Sequence, residues 1–122
     1  MLWGVFSDVH SNLAALNAVL AELKRRGAEN YICCGDLVGY GPQPNEVIDG
    51  IKDLPGLLCV RGNHDLAVLG RMDLEWFNEN AKAAVVHTQK VLTDKNFAWL
   101  KDLPPRIDNE KFTIVHGSPR NT

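Results

Sequence analysis

The sequence of 122 residues contains no apolar run long enough to cross a membrane, and its net charge is only −2. A membrane-spanning helix needs about 20 consecutive apolar residues, whereas the longest apolar runs here have the length of a strand. A charge balance this close to zero gives no basic field that would attract nucleic acid or an anionic membrane. We therefore expect no membrane partner, and nucleic acid is not indicated except as a substrate held in a local site.

We expect neither a signal peptide nor a disulfide framework. Residues 1–6 contain neither the positive charge nor the cleavage site of a signal peptide. Cysteine is scarce, because the chain has three, of which Cys33 and Cys34 are adjacent. We interpret all three as buried, reduced thiols and expect a cytoplasmic protein. The length suits one domain over residues 1–122.

Three short apolar runs predict the strands of a parallel sheet. They lie at residues 2–7, 31–34 and 57–60, and amphipathic segments separate them. The predicted order is therefore β-α-β-α-β. Strands that are almost continuously apolar, in this order, are typical of an α/β fold with a parallel sheet covered on both faces.

Two helices are predicted between these strands. Leucines at helical spacing from Leu13 to Leu23 indicate the first helix, with Ser11 as its N-cap and Gly27 as its end. Pro44 suits the first turn of the second helix, because proline has no N–H to leave unpaired there. These helices supply the connections that a parallel sheet requires.

The second half of the chain predicts two more helices and a hairpin. Residues 74–92 have an apolar stripe at helical spacing, and residues 94–100 indicate a shorter helix. Residues 106–108 and 111–115 are predicted as hairpin strands that the pair at 109–110 connects. The aromatic residues of the two helical segments are interpreted as core rather than as base-stacking surface: Trp76, Phe77, Phe97 and Trp99.

Polar side chains follow each strand of the predicted sheet and the last strand of the hairpin. The carboxyl ends of neighbouring parallel strands meet at one crevice, so we expect these side chains to converge there. Asp8 and His10 are two residues apart, and in an extended backbone they would point to the same side. The converging residues are Asp8, His10, Asp36, Asn63, His64 and His116.

This set of side chains has the chemistry of a metal site. Carboxylate and amide oxygens together with imidazole nitrogens, without thiolate, suit Mn, Fe or Zn better than Ca, which prefers oxygen alone. Asp36 has two carboxylate oxygens and could bridge two ions. Two ions about 3.5–4 Å apart would activate a bridging water and hold a phosphoryl oxygen during in-line attack.

Four motifs carry a resemblance to a known family, in the same order and over nearly the whole chain. They are Asp8–His10, Gly35–Gly41, Gly62–Asp65 and His116–Pro119. In these motifs the sequence closely resembles the calcineurin-like metallophosphoesterases. It is most similar to a prokaryotic branch with Gly-Asp-x-Val-Gly-Tyr-Gly-Pro, whose members are described as phosphodiesterase-like or diadenosine-tetraphosphatase-like.

The resemblance implies an incomplete sandwich of two β-sheets flanked by helices, with a centre of two divalent metal ions. The chain would be the N-terminal portion of such a domain. By analogy, Asp8 and His10 would hold the first ion, Asp36 would bridge, and Asn63 and His116 would hold the second.

The implied catalytic residue is His64, which would contact the phosphate and protonate the leaving oxygen as general acid. Many family members have an Asp and an Arg where this chain has Gly39 and Tyr40; the Asp orients the catalytic histidine and the Arg binds phosphate. Asp65 could orient His64 instead, or it could cap the following turn. We interpret residues 39–42 as a tight turn at the rim of the site, with substrate contact as the alternative.

A second departure lies at the end of the family's pattern. The family completes its metal site with a Gly-His-x-His motif, which the sequence up to Thr122 does not contain. His87 is the one remaining histidine, and we interpret it as a non-ligand because it lies in a predicted helix. We therefore expect a fragment whose exposed sheet edges could support a homo-oligomer.

The predicted function is metal-dependent hydrolysis of a phosphodiester or nucleotide-type phosphoester. Two alternatives stay open. Because two ligands of the family's site are absent, the chain could be a catalytically silent metal-binding or interaction module. The enzyme class could also be kept with a different substrate, a phosphoprotein or a nucleic acid.

Overall fold

The computed structural model describes residues 1–117, so Ser118 and Pro119 of the last sequence motif lie outside the described residues. The elements of the first half are β1 (Trp3–Phe6), α1 (Leu13–Arg25), β2 (Asn30–Cys33), α2 (Pro44–Ile51), β3 (Leu58–Cys59) and α3 (Asn63–Val68). Those of the second half are a 3-10 turn (Leu74–Trp76), α4 (Glu79–Val91), α5 (Asp94–Lys101), β4 (Arg106–Asp108) and β5 (Thr113–Val115). No helix among these is long and apolar enough to cross a membrane.

The first three strands form a parallel sheet with β2 in the middle. Phe6 of β1 lies opposite Cys33 of β2, and Cys33 lies opposite Cys59 of β3. All three strands therefore end at the same edge of the sheet. This confirms the predicted α/β class and its β-α-β-α-β order, although β3 is shorter than the predicted 57–60.

The two faces of the sheet are covered differently. Phe6 and Cys33 lie on the face that packs against α1 and α2, in one core with Leu16 and Val47. Ile32, which precedes Cys33 in β2, lies on the other face of the sheet, where the hairpin packs against it. Helices therefore cover one face of the parallel sheet and the hairpin covers the other. Both faces are covered as predicted, but strands rather than helices cover the second one.

The hairpin is a separate two-stranded sheet and not an extension of the parallel one. β4 and β5 are antiparallel, with Arg106 opposite Val115 and Asp108 opposite Thr113. The side chain of Asn109 accepts hydrogen bonds from the N–H groups of Lys111 and Phe112, so the turn spans four residues rather than the predicted two. Because β5 belongs to this antiparallel hairpin, the segment after it joins the site from the second sheet and not from a neighbouring parallel strand. The two sheets packed face to face, with helices outside, are consistent with an incomplete sandwich.

The N-cap of α1 is Asn12 and not the predicted Ser11. The Asn12 side chain accepts a hydrogen bond from the N–H of Ala15 at 3.0 Å. Ser11 is fully buried and has a left-handed backbone with φ of 59°. An N-cap residue needs an extended backbone, which Asn12 has and Ser11 lacks.

The helix predicted over residues 74–92 is interrupted. Phe77 is extended (φ −89°, ψ 143°), and α4 starts anew because the Asn78 side chain caps it by accepting from the N–H of Ala81. The interruption places Phe77 on a loop between the 3-10 turn and α4. Trp76, the residue before it, is 85% exposed. The interpretation of Trp76 as core is therefore wrong, and Phe97, 39% exposed, is only partly covered.

Candidate metal centre

The segment after β1 runs beside the segment after β2. The N–H groups of Asp8, His10 and Ser11 donate to the carbonyls of Gly35, Asp36 and Leu37 at 2.9, 3.0 and 2.8 Å. Asp8 and His10 have left-handed backbones, with φ of 58° and 50°. The expected extended geometry is therefore wrong, and a turn rather than strand alternation brings both side chains beside Asp36.

Asp36 lies at the centre of the site. Its side chain is buried, and its Oδ2 lies 3.6 Å from Nε2 of His10 and 3.3 Å from Nε2 of His116. Oδ1 of Asp8 is 3.5 Å from the same nitrogen of His10. Ligand atoms that share an ion at bond lengths of about 2.0–2.2 Å are separated by about 3–3.5 Å. These separations therefore fit residues that hold cations between them.

Two backbone carbonyls fix the tautomers of the outer histidines. Nδ1 of His10 lies 3.1 Å from the carbonyl of Val38, and Nδ1 of His116 lies 2.8 Å from the carbonyl of Cys34. A carbonyl only accepts, so each Nδ1 donates its hydrogen and each neutral ring keeps a lone pair on Nε2. Both lone pairs face Asp36, which is how metal-binding histidines are oriented in proteins.

The side-chain amide of Asn63 lies between Asp36 and His116 and can present either its oxygen or its nitrogen to them. Its Oδ1 lies 3.1 Å from Nε2 of His116, and in this orientation it faces only acceptors. With the amide turned over, its nitrogen would donate to both oxygens of Asp36 and to His116. The oxygen-inward orientation suits a bound cation, whereas the turned amide suits the ion-free protein.

Asp36 is common to two groups of potential ligands. One group contains His10, Asp36 and His64, and the other contains Asp8, Asp36 and His116. Within each group, the donor atoms all lie within 4.8 Å of one another. This grouping differs from the pairing that the resemblance implies, because it places His64 rather than Asp8 with His10, and places Asp8 with His116.

Burial and neighbouring charges set the ionisation of the carboxylates. Burial raises the pKa of Asp36, while the N–H of His64 and the imidazole of His116 oppose that rise. Burial also raises the pKa of Asp8, but the hydrogen bond from the Ser7 hydroxyl, the pairing with Asp36 and the neighbouring imidazoles outweigh it and hold this pKa below its usual range. A cation beside these groups would stabilise both carboxylates in their ionised forms.

Asp65 holds the backbone that carries Asp36. Its Oδ2 accepts from the N–H groups of Asp36 and Gly62, both at 2.8 Å, and its Oδ1 accepts from Val38 at 3.2 Å. The residue is fully buried, and burial raises its pKa to about 7 although the three N–H groups oppose this. Asp65 therefore caps the start of α3 and ties it to the loop after β2. Its hydrogen bonds support Asp36 and not the imidazole of His64.

Glycine is required where the two loops approach. A Cβ on Gly62 would lie 2.1 Å from Oδ1 of Asp36, and a Cβ on Gly39 would lie 2.6 Å from Nδ1 of His64. Gly39 also has a φ of 94°, which side chains disfavour. These two glycines let the carboxylate and the imidazole rest directly on neighbouring backbone.

His64 is enclosed by aromatic rings, which the sequence did not reveal. Its backbone N–H donates to Oδ1 of Asp36 at 2.9 Å. Its ring centroid lies 4.7 Å from that of Phe77, 4.9 Å from Tyr40 and 4.7 Å from His10. Burial lowers the pKa of His64, and the neighbouring His10 lowers it further. The helical pattern over 74–92 concealed Phe77, and only the break before Asn78 could have indicated its position.

The six predicted residues therefore meet at one place, the carboxyl end of the parallel sheet. His116 reaches it from the hairpin, and His87 lies on the exposed side of α4. Comparisons with known proteins identify relatives of this chain. A curated, uncharacterized protein of Methanocaldococcus jannaschii is 44% identical over 121 residues, which cover 96% of this chain and 49% of that protein.

Two solved structures are similar over nearly the whole chain. A metallophosphoesterase from Sphaerobacter thermophilus is 40% identical with a TM-score of 0.82, over 98% of this chain and 48% of that one. A structure described as a "putative diadenosine tetraphosphatase" is 25% identical with a TM-score of 0.73, over 93% of this chain and 49% of that one. The chain thus spans about half the length of these relatives.

The model of one family accounts for the whole sequence. The match to the calcineurin-like phosphoesterases extends over residues 1–122, and so includes every strand end that contributes to the site. On this match, the chain belongs to the calcineurin-like phosphoesterase family.

Proposed function

We propose that the protein hydrolyses a phosphodiester or a nucleotide-type phosphoester at a centre of two divalent ions. The family acts on phosphoesters and depends on metal. The observation that carries the two-ion proposal is the position of Asp36, whose Oδ2 lies between the Nε2 lone pairs of His10 and His116. A single carboxylate oxygen between two imidazoles suits a ligand shared by two ions.

In this proposal, the ligands divide around Asp36. Asp8 and His10 would hold one ion, Asn63 and His116 would hold the other, and Asp36 would be a ligand of both. Bound Mn, Fe or Zn would lower the pKa of water and polarise the phosphoryl oxygen. The residues of the chain fix the ligand atoms in place, because Val38 and Cys34 carbonyls orient the imidazoles and Asp65 holds the backbone of Asp36.

His64 is proposed as the proton donor to the leaving oxygen. Its backbone is anchored to Asp36 through a 2.9 Å hydrogen bond, so the imidazole stays beside the proposed metal ligands. Proton donation from this imidazole to the leaving oxygen would remove the cost of expelling an alkoxide.

The nucleotide-type substrate is supported by the structural relative described as a "putative diadenosine tetraphosphatase". The silent module stays an alternative, because the chain spans about half the length of its relatives.

Manganese as the native metal, a cytoplasmic location and a homo-oligomer remain predictions. Among the described residues β1 and β3 each pair with β2 alone, which leaves the two outer edges available for association.

Metal stoichiometry tests the proposal first. Protein soaked in Mn²⁺ and desalted is expected to retain about two ions per chain, as a two-metal site requires. It should hydrolyse bis(4-nitrophenyl) phosphate, and a chelator should remove both the ions and the activity. Hydrolysis that persists after complete removal of metal would refute the proposal; bound metal without hydrolysis would favour the silent module.

A pair of histidine variants provides the matched comparison. His116→Ala removes an imidazole 3.3 Å from Asp36, so it should reduce the ions retained and lower kcat/KM by about 10²-fold or more. His87→Ala removes an exposed imidazole on α4 and should leave both quantities unchanged. Equal effects of the two substitutions on retained metal would contradict the assignment of His116.

A further inference from the structure

The surroundings of His64 leave its orientation without an obvious cause. Its side chain is 8% exposed, and its Nδ1 is buried with no hydrogen-bond partner among the described residues. Catalytic imidazoles are commonly oriented by an acceptor at Nδ1. Here Nδ1 faces the backbone of Gly39 at a distance that leaves no room for a Cβ.

Three rings lie against the imidazole of His64. Phe77 and Tyr40 are tilted against the imidazole by 37° and 41°, and His10 meets it edge to face at 74°. Tyr40, Phe77 and His10 thus surround the ring of His64. Tilted and edge-to-face contacts at these separations are the favourable geometries of aromatic pairs, and they restrict rotation of the enclosed ring.

The backbone of Tyr40 supports a specific purpose for its position. Its φ is 54°, a left-handed conformation that bulky residues rarely adopt. Its side chain is 51% exposed, so burial of the ring does not explain that conformation. What the conformation does achieve is contact with both site histidines, at 4.9 Å from His64 and 5.2 Å from His10.

We propose that Tyr40 and Phe77 position the His64 imidazole for proton donation to the leaving oxygen, by ring packing in place of a hydrogen bond to Nδ1. This inference rests on the proposed function. Both are positioning residues, since they act through His64. Phe77 reaches it from the loop before α4, and Tyr40 from the rim of the site.

The step to which this applies is balanced as follows. Water forms a new bond to phosphorus, and the bond between phosphorus and the leaving oxygen breaks with its electron pair going to that oxygen. The leaving oxygen takes a proton from Nε2 of His64, which solvent later reprotonates, and the proton lost by the water passes to solvent. The need for the donated proton rises with the basicity of the leaving oxygen.

Leaving-group dependence therefore tests the inference. The substrates are methyl 4-nitrophenyl phosphate, with a weakly basic leaving group, and methyl phenyl phosphate, with a more basic one. Tyr40→Leu and Phe77→Leu should lower kcat at least about tenfold more for the phenyl ester, because general acid catalysis contributes about 10²–10⁴-fold. His64→Gln should lower kcat for the phenyl ester selectively in the same way, and by more than either ring variant, because the proton donor itself is removed.

Two further variants separate ring packing from other effects. Tyr40→Phe keeps the ring and should keep the wild-type ratio of the two rates, whereas a role of the hydroxyl would change that ratio. Trp76→Leu removes the adjacent, 85% exposed aromatic residue and should leave both rates unchanged. Equal losses for both esters in Tyr40→Leu and Phe77→Leu would overturn the inference while leaving the proposed function intact. Failure of the wild-type protein to hydrolyse either ester would overturn both.

A spectroscopic measurement tests the ring contacts without turnover. In the metal-free protein, the Cε1 proton of His64 should be displaced by ring currents from the position of the exposed His87, which serves as internal reference. Tyr40→Leu and Phe77→Leu should each move the His64 resonance toward that reference, and His64→Gln would assign it. A His64 resonance that neither variant moves would contradict the proposed packing.

Discussion

Replacement of Asp36 by asparagine should abolish metal-dependent hydrolysis while leaving the fold intact. The carboxylate is the one group shared by both sets of potential ligands, so its loss affects both proposed ions. Each ion supplies several kcal/mol of transition-state stabilisation, and each 1.36 kcal/mol is a factor of ten. We therefore expect kcat/KM to fall by at least about 10³-fold and the retained metal to fall below one ion per chain.

For the thermal stability of the same variant we expect no loss, in contrast to the loss of activity. Asparagine keeps an oxygen that can accept from the N–H of His64, and it removes a carboxylate whose pKa burial raises. The metal-free variant should therefore unfold at the same temperature as the metal-free wild type or higher, but Mn²⁺ should no longer stabilise it. Asp53→Asn, at an exposed position, is the matched control and should behave as wild type. Retained activity in Asp36→Asn would refute its place at the centre of the site.

Replacement of Asp65 by asparagine should have the largest effect on stability. The carboxylate accepts three backbone N–H groups, and an amide presents its own NH₂ to at least one of them. A buried donor left without a partner costs about 1–3 kcal/mol, so we expect a loss of about 2–4 kcal/mol. For a chain of this size, this corresponds to a decrease in Tm of about 10 °C.

Thermal unfolding of the metal-free protein measures this loss. Asp102→Asn, an exposed carboxylate at the end of α5, should change the free energy of unfolding by no more than about 0.5 kcal/mol. The desolvation of Asp65 acts in the opposite direction, because an asparagine carries no charge to bury. An unchanged or raised Tm in Asp65→Asn would mean that desolvation outweighs the three hydrogen bonds.

The pH dependence of this difference has a definite sign. Burial raises the pKa of Asp65 in the folded protein to about 7, whereas the unfolded chain has the usual value near 4. Between about pH 4 and 7 the folded state holds this proton more tightly, so the contribution of Asp65 to stability decreases as the pH rises. The advantage of wild type over Asp65→Asn should therefore shrink across this range. An advantage that grows with pH would contradict the raised pKa.

The polar residues after each strand could be predicted from sequence, because the end of a parallel strand determines where its side chains lie. That is why Asp36 and Asn63 were expected together before their distances were known. The geometry of Asp8 and His10 could not be predicted, because their left-handed turn depends on hydrogen bonds to the loop after β2. Local patterns contain no information about such partners.

The positions of Phe77 and Asp65 show the same limit. Phe77 continues a helical pattern, and only the cap at Asn78 and the packing against His64 make it part of the site. Asp65 was expected to orient His64 or to cap the following turn; it does cap the start of α3, and two of its hydrogen bonds also hold the backbone at Asp36 and Val38. In both cases the decisive contact joins segments far apart in the chain.

The left-handed backbone conformations at the site lower the stability of the protein, although they place residues that the proposed catalysis requires. Within residues 1–117, the non-glycine residues at positive φ are Asp8, His10, Ser11, Asp36 and Tyr40, all at or beside the site. Each costs about 1–2 kcal/mol relative to glycine in the same conformation. Laboratory evolution toward heat resistance alone would therefore favour glycine at these positions, and the most stable descendants would be those that had lost the ligands.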